Sequence, residues 1–403
     1  MFRWRGDNMA INSNSLDYIN TVKASIIRPK FKLSLLNQNE TVKEEIIDDI
    51  ISGGGSLSIN YQQGQRRSLN FALKNDDGKW LPNDNNGGLW INSKFKLELG
   101  IENDEGYTYW QPNGVFVVAN PSATNNGGEK LINIQCYDKF AMLDGTLGGT
   151  ITATYTIPNG SNIKQAITDI LLDDNGNGYP NDIVPLIFDN IYKDVNTTYT
   201  ITKNANSNLG EIIIELANMI ACDVYYNENG NLVIQSGITD ISNLRKPILW
   251  NYDDGELEYL SSTTSYDFTN VKNKVTVVGA NVNSVTIYSA YSENNNGQSP
   301  TRIGKIGIRN LYIEDSNISS NQLCQDRADY ELSKISILNL AISMESTYMI
   351  HLDVNKCISI TDNFYGYKNQ RFIIKSLNIP IGIDSKISIE CANVASLPYY
   401  PSA

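Results

Sequence analysis

Residues 66–83 read RRSLNFALKNDDGKWLPN, residues 89–102 read LWINSKFKLELGIE, and residues 114–138 read GVFVVANPSATNNGGEKLINIQCYD. In the first stretch Leu69, Phe71 and Leu73 alternate with Ser68, Asn70 and Ala72. In the second, Phe95, Leu97, Leu99 and Ile101 alternate with Lys94, Lys96, Glu98 and Gly100. A period of two marks a strand with one buried face. Two further runs, Val115–Ala119 and Leu131–Cys136, are separated by Pro121, Asn125, Asn126, Gly127 and Gly128, which is dense turn chemistry. The connection Asn75–Gly88 is long and polar, yet it carries Trp80, Leu81 and Pro82 and leads into Trp90. Two readings of it stand: a loop that tucks its tryptophan onto the β-core below, or a contact loop for a neighbouring subunit.

The pattern returns near the other end, where residues 371–394 read RFIIKSLNIPIGIDSKISIECANV. Phe116-Val117-Val118 leads to Cys136 over 20 positions, and Phe372-Ile373-Ile374 leads to Cys391 over 19. Each pair of runs encloses a proline-containing turn. Two copies of one β-domain would produce this, and so would a chance likeness of short apolar strands.

A chain of 403 residues suits two to four domains. Charged residues make up 19 % and hydrophobic residues 41 %, and Asn, Ser, Thr, Tyr and Gly supply the rest, a composition of turns and strands. The 23 Tyr against 10 Phe suit strand faces that meet other protein at half-wet interfaces. The net charge of −12 argues against specific nucleic-acid binding. The five cysteines, at 136, 222, 324, 357 and 391, have no CxxC spacing and there is one histidine, so a zinc site is disfavoured and free buried thiols in a reducing compartment are expected. The segment MFRWRGDNMAINSNS has no apolar run behind its basic residues, so it does not read as a signal peptide. No run of about 18 apolar residues marks a membrane span.

Taken in order, residues 1–25 read as an N-terminal arm with a short helix capped by Ser15. Residues 26–145 read as a first β-domain. Helical spacing then appears after Ser161 (Ile163, Ala166, Ile167, Ile170, Leu171) and after Ser207 (Leu209, Ile212, Ile213, Leu216, Ala217, Ile220), with both serines as expected caps. A hairpin turning at Asn229-Gly230 follows. Residues 146–256 therefore read as a small inserted α+β domain. Residues 257–403 read as a second β-domain with one helix near 320–335, capped by Ser319. The fold class is β-rich α+β and multi-domain.

Chemistry is sparse. His351 sits in an alternating strand with no nucleophile motif beside it and reads as structural. Asp253, Asp254 and Glu256 could form a carboxylate pair for glycoside hydrolysis, but a solvated turn at a domain boundary is the favoured reading. Asp173, Asn175, Asn177 and Gly178 match positions one, three, five and six of a calcium loop, whereas Val184 stands where a bidentate Glu is needed, so a plain turn is expected. No catalytic, cofactor-binding or metal-binding residue is assigned, and no cofactor is expected.

The segments SLNFALKNDDGKWLPN (68–83), LWINSKFKLELGIE (89–102), FTNVKNKVTVVGAN (268–281), CQDRADYELSK (324–334) and RFIIKSLNIPIG (371–382), in that order along the chain, resemble the baseplate hub proteins of tailed bacteriophages. These are the hubs of contractile tails, the N-terminal part of tail-associated proteins and, more remotely, VgrG spikes. The resemblance runs from about residue 26 onward. It implies two tube-like β-barrel domains per subunit and a homotrimer whose six barrels form a pseudo-six-fold ring. That ring would join the tail tube, or a distal tail protein ring, to a central spike or tail fibre and let DNA pass. It further implies a structural, non-enzymatic protein of the virion's tail tip, assembled in the host cytoplasm. The alternative from a different class is a carbohydrate-binding or cell-wall-degrading tail enzyme. The absence of a compact acid/base constellation and of a further domain before Ala403 weighs against that alternative.

Overall fold

In the computed structural model the described residues run from 15 to 394, apart from 48, 52, 84–88, 174–179, 184–185, 221, 237–245, 283–285, 316–317, 319, 337–338 and 383–385. Helix α1 (Leu16–Val22) starts at Ser15, whose hydroxyl accepts the Tyr18 N–H. Seven strands follow: β1 (Arg28–Leu36), β2 (Val42–Ile46), β3 (Gly55–Asn60), β4 (Arg67–Lys74), β5 (Lys94–Glu102), β6 (Thr108–Asn125) and β7 (Lys130–Asp138). The middle of the chain supplies β8 (Tyr155–Ile157), α2 (Ile163–Leu172), β9 (Ile187–Phe188), β10 (Ile201–Lys203), α3 (Leu209–Met219), β11 (Cys222–Tyr226) and β12 (Leu232–Ser236). Then come β13 (Ile248–Asp253), β14 (Tyr259–Asp267), β15 (Lys274–Val282), β16 (Thr286–Glu293), α4 (Ile303–Ile306), β17 (Asn310–Glu314), α5 (Asn321–Ile335), β18 (Asn339–Thr347), β19 (Cys357–Asp362), β20 (Tyr367–Ile381) and β21 (Lys386–Asn393).

The alternating faces fall as their periods require: Leu69, Phe71, Leu73, Phe95, Leu97, Leu99 and Ile101 are all buried. Trp80 is 1 % exposed and lies in the main core. Its backbone N–H donates to the Asn75 side-chain oxygen at 2.9 Å, and the loop tucks this ring onto the sheet.

The β-strands at the two ends of the chain join in one sheet of 13 strands. Its path runs β14-β18-β21-β20-β3-β4-β7-β6-β5-β1-β2, and β19 and β13 branch from β20. The path is open at its ends, so strand pairing closes no barrel among the described residues. Among the described residues the fold is β-rich, with a large mainly antiparallel sheet and five α-helices. The joint is β20 against β3, from Ser376 opposite Asn60 to Ile381 opposite Gly55. One apolar core runs through both halves, from Leu33 to Cys391.

The repeat read in the sequence reappears as register. In β6/β7, Phe116 faces Asp138, Val117 faces Tyr137 and Val118 faces Cys136. A residue is then skipped, and Asn120 faces Gln135. In β20/β21, Phe372 faces Asn393, Ile373 faces Ala392 and Ile374 faces Cys391; a residue is skipped, and Ser376 faces Glu390. The bulge sits at the same step in both, and bulges are built features of a sheet. The flanking strands follow suit: Leu69 and Ile342 lie opposite the two cysteines, and Phe95 and Ile358 lie opposite the two phenylalanines. The copies part at their outer strands, where β1 runs antiparallel to β5 and β13 runs parallel to β19.

Two smaller units carry cores of their own. In one, α2 and α3 pack with β8 to β12 around Ile167, Ile170, Ile213 and Leu216. Its helices begin one residue later than expected. Asn162 and Asn208, and not Ser161 and Ser207, are the caps, accepting the N–H groups of Gln165 and Glu211 at 3.0 and 2.8 Å. The Ser161 N–H is already held by the Thr197 hydroxyl at 3.1 Å. In the other unit a three-stranded sheet, β16-β15-β17, packs α5 through Val275, Val277, Cys324, Ala328 and Leu332. Ser320 caps α5, and the expected Ser319 lies outside the described residues.

Because one core spans the joint, trimming it should unsettle both halves together. Leu57, fully buried opposite Ile379, should cost about 2–5 kcal/mol when changed to alanine. Denaturant unfolding of Leu57→Ala followed by circular dichroism should show one β-sheet transition shifted as a whole. Two separated transitions would contradict a shared core.

Candidate assembly edges

The sequence-derived chemical candidates do not come together. The Asp253, Asp254 and Glu256 side chains are exposed in the turn between β13 and β14. Glu256 reaches Lys23 at 3.4 Å, as does the neighbouring buried Glu258 at 3.0 Å. Of the calcium-loop positions, Asp173 ends α2 with its N–H on the Asp169 carbonyl, whereas Asn175, Asn177, Gly178 and Val184 lie outside the described residues. All five cysteines are buried free thiols. Among the described residues there is no cluster of three His, Cys, Asp or Glu, and no helix is long and apolar enough to cross a membrane.

His351 is half-buried between Tyr18 and Trp250, and its Nδ1 lies 2.7 Å from the Tyr18 hydroxyl. Burial lowers its pKa from the ordinary 6.5 to about 4. The unfolded chain thus binds a proton between these values that the folded chain refuses. The stability owed to the neutral ring is complete above pH 6.5 and drains away as pH falls to 4. Over that window the loss is on the order of 3 kcal/mol. Replacing His351 with Phe should flatten this part of the stability–pH curve, as measured by urea midpoints at several pH values. An unchanged slope would mean that His351 is not its source.

The features left exposed are sheet edges. By the shared register, β6 residues 120–125 correspond to β20 residues 376–381, which pair with β3. Residues 120–125 pair with β7 on one side only; Asn120, Ser122, Ala123 and Asn125 are exposed, and among the described residues no strand takes the place that β3 takes beside β20. The local frame is the same at both places. The Val118 N–H donates to the Ser93 carbonyl at 2.9 Å, and the Ile374 N–H to the Lys356 carbonyl at 3.0 Å. Pro121, which has no N–H, is tolerated because it lies on an edge. Beside this edge stand Trp90, 48 % exposed, and Ile91, 75 % exposed.

The counterpart of β3 is β14. Leu57 lies opposite Leu69, Thr264 lies opposite Ile342, and Leu69 and Ile342 are themselves equivalent. β14 ends the sheet path, so among the described residues its outer edge is unpaired along 263–267. Nearer its start, the Tyr365 hydroxyl donates to the Ser262 carbonyl at 3.0 Å. Tyr266 and Phe268 stack beside it with ring centroids 6.2 Å apart, and both are exposed.

Other edges are blunted. The outer edge of β16 is taken up by α5, where the Asn321 side chain accepts the Ser289 N–H at 3.0 Å and the Gln325 amide donates to the Tyr291 carbonyl at 3.3 Å. Terminal β2 carries Lys43, Glu44 and Glu45, and charge discourages pairing. The open edges were missed from sequence because Asn120, Ser122 and Thr124, like Thr263 and Ser265, read simply as solvated strand positions. The available signal was the second copy's apolar Leu377, Ile379 and Ile381, where the first has Pro121, Ala123 and Asn125.

Comparison with known proteins bears on the fold. A family described as a domain of unknown function (DUF5048) matches residues 298–397. No curated protein matches. Among solved structures, the 43 kDa tail protein of prophage MuSo2 from Shewanella oneidensis aligns with a TM-score of 0.61 at 13 % identity, covering 91 % of this chain and 99 % of that one. A tail protein from Neisseria meningitidis gives 0.59 at 10 % identity, covering 90 % and 97 %. The Francisella PdpA–VgrG complex gives 0.56 at 12 % identity, covering 94 % of this chain and 60 % of that one. The chain has the fold of phage tail proteins, a fold that extends to VgrG.

Proposed function

We propose that this chain is the structural hub of a bacteriophage tail tip, a homotrimer whose two tube-like β-domains per subunit make a pseudo-six-fold ring. The proposed division is an arm and helix over 1–25, β-domains over 26–145 and 257–403, and an inserted α+β domain over 146–256. The ring would join the tail tube or a distal tail protein ring to a central spike or fibre and let DNA pass. The net charge of −12 suits a lumen that does not hold phosphates. The protein acts without catalysis, in a virion assembled in the host cytoplasm.

One observation carries this reading. The joint between β20 and β3 links two stretches of sheet that share one register and one bulge, and each stretch keeps the edge needed to repeat it. Transferring the register pairs Asn120 with Asp267, Ser122 with Ser265 and Thr124 with Thr263 of the next subunit. Head-to-tail contacts of this kind must close into a ring or grow into a filament, and closed rings are the usual outcome. Trp90 and Ile91 on one edge and Tyr266 and Phe268 on the other supply apolar area to both sides of the seam. Pro121 leaves the seam one N–H short, which weakens it relative to the internal joint.

Within the chain, the position equivalent to Ser122–Ser265 is Asn378–Ser58, whose side chains hydrogen-bond at 3.0 Å. The doubly substituted Ser122→Cys/Ser265→Cys chain should therefore give a covalent trimer on mild oxidation, read by non-reducing electrophoresis and native mass. Single substitutions should give no ladder. Trimers without the cross-link would sink the register, and monomers in both purified protein and isolated tails would sink the hub.

A further inference from the structure

The sheet of β15, β16 and β17 packs α5 on one face and leaves the other open. Val275 and Val277 point into the helix side, so Lys274 and Thr276 point outward. The register sets Tyr291 and Tyr312 on either side of Thr276. Their rings are 58 % and 55 % exposed. Two strand spacings separate the two tyrosines by about 9.6 Å.

At the edge of β16 this face runs into a cleft of about 720 Å³, lined by Thr276, Ser289, Tyr291, Asn321, Gln322 and Gln325. Among the described residues no charged side chain lines it. Its amides are only half engaged. Asn321 uses its oxygen on the Ser289 N–H, which leaves its NH₂ group. Gln325 uses its nitrogen on the Tyr291 carbonyl and Asp329, which leaves its oxygen, and Gln322 likewise uses its nitrogen on Asp326. Lys274, on the same face, is paired with Glu293 at 2.7 Å and rests 4.4 Å from the Tyr291 ring centroid.

Spaced aromatic faces with neutral donors and acceptors between them match one ligand chemistry. The C–H face of a pyranose packs on an aromatic ring, and its hydroxyls take both hydrogen-bond roles, which amides and hydroxyls satisfy without charge. A phosphate would meet Lys274 already paired with Glu293, and the carboxylate of Glu314 stands beside Tyr312, so an anion has no cation to itself there. We infer that this face binds an uncharged glycan chain, with sugar rings on Tyr291 and Tyr312 and hydroxyls bonded to Thr276, Asn321 and Gln325. The inference does not depend on the hub reading.

The test uses the full chain on an array of immobilised neutral oligosaccharides that includes β-1,4-linked N-acetylglucosamine oligomers, with calorimetric titration of the strongest binder. Saturable binding is expected. It should weaken at least about tenfold in Tyr291→Ala and in Tyr312→Ala, persist in Tyr291→Phe, and stay within about twofold on raising salt to about 0.5 M. Unchanged circular dichroism would show that the variants fold. Absence of saturable binding across the array, indifference to both alanine substitutions, or loss of binding in salt would each overturn the inference.

Discussion

The antiparallel ladder between Gly55–Asn60 and Ser376–Ile381 is the constraint on which the rest depends. It joins segments more than 300 positions apart, as the Ser58–Asn378 bond shows. Closing so long a loop costs entropy that grows only slowly with length, and burial offsets it. Leu57, Ile59, Leu377, Ile379 and Ile381 are each 1 % exposed or less. At about 1.5–3 kcal/mol per fully buried aliphatic side chain, these five outweigh the closure term. The ladder also decides shape. It turns two sheets, each with an apolar face, into one surface with a common core, so neither half presents a bare apolar edge at this place.

The smaller α+β unit is held to that sheet by a buried polar network. Asp138, at the end of β7, accepts N–H bonds from Arg66, Arg67 and Phe140 at 2.7, 2.8 and 3.0 Å. Burial still raises its pKa to about 6, against those bonds. Arg66 lies between the rings of Tyr61 and Tyr225, at 4.8 and 3.6 Å, with Asp223 beside it. Lys139 pairs with Asp182, which also accepts the Tyr226 hydroxyl. Gly64 has a positive φ and its N–H donates to the Val224 carbonyl; a Cβ there would meet the Phe140 ring at 2.8 Å. Such networks cost desolvation and return a unique geometry, which suits a unit that has to stay in place on a rigid sheet.

How the chain treats its edges separates assembly from protection. Where β16 could pair with a stranger, two amides of α5 occupy its backbone, and β2 carries charge. Residues 120–125 have neither device and 263–267 carry only Asp267, at the strand's end, and exposed aromatic rings flank both. An edge that is neither covered nor charged is an aggregation liability unless a partner covers it. The pairing already made once inside the chain, β20 on β3, shows that edges of this register fit each other.

Much of this was legible from residue patterns, and the limits have a physical cause. Alternation located the strands around Phe71, Leu97 and Phe116, and Asn229-Gly230 turned the expected hairpin, with Tyr226 opposite Leu232. Helical spacing found α2 and α3 but misplaced their caps by one residue, since Ser161-Asn162 and Ser207-Asn208 each offer two competent side chains. The choice fell to tertiary bonds such as Thr197 to Ser161. Alternation says which side of a strand is buried, and it is silent about which sheet receives it. That is why β15 and β16 read as more of the second β-domain, although they build a separate sheet on α5. The same silence hid the joint: β3 and β20 each read correctly as strands, and their pairing rests on backbone groups that every residue shares. Only the likeness of residues 116–136 and 372–391 carried information across that distance. It did so because a conserved bulge forces the same register twice, so a repeat in sequence becomes a statement about which edges are left to meet.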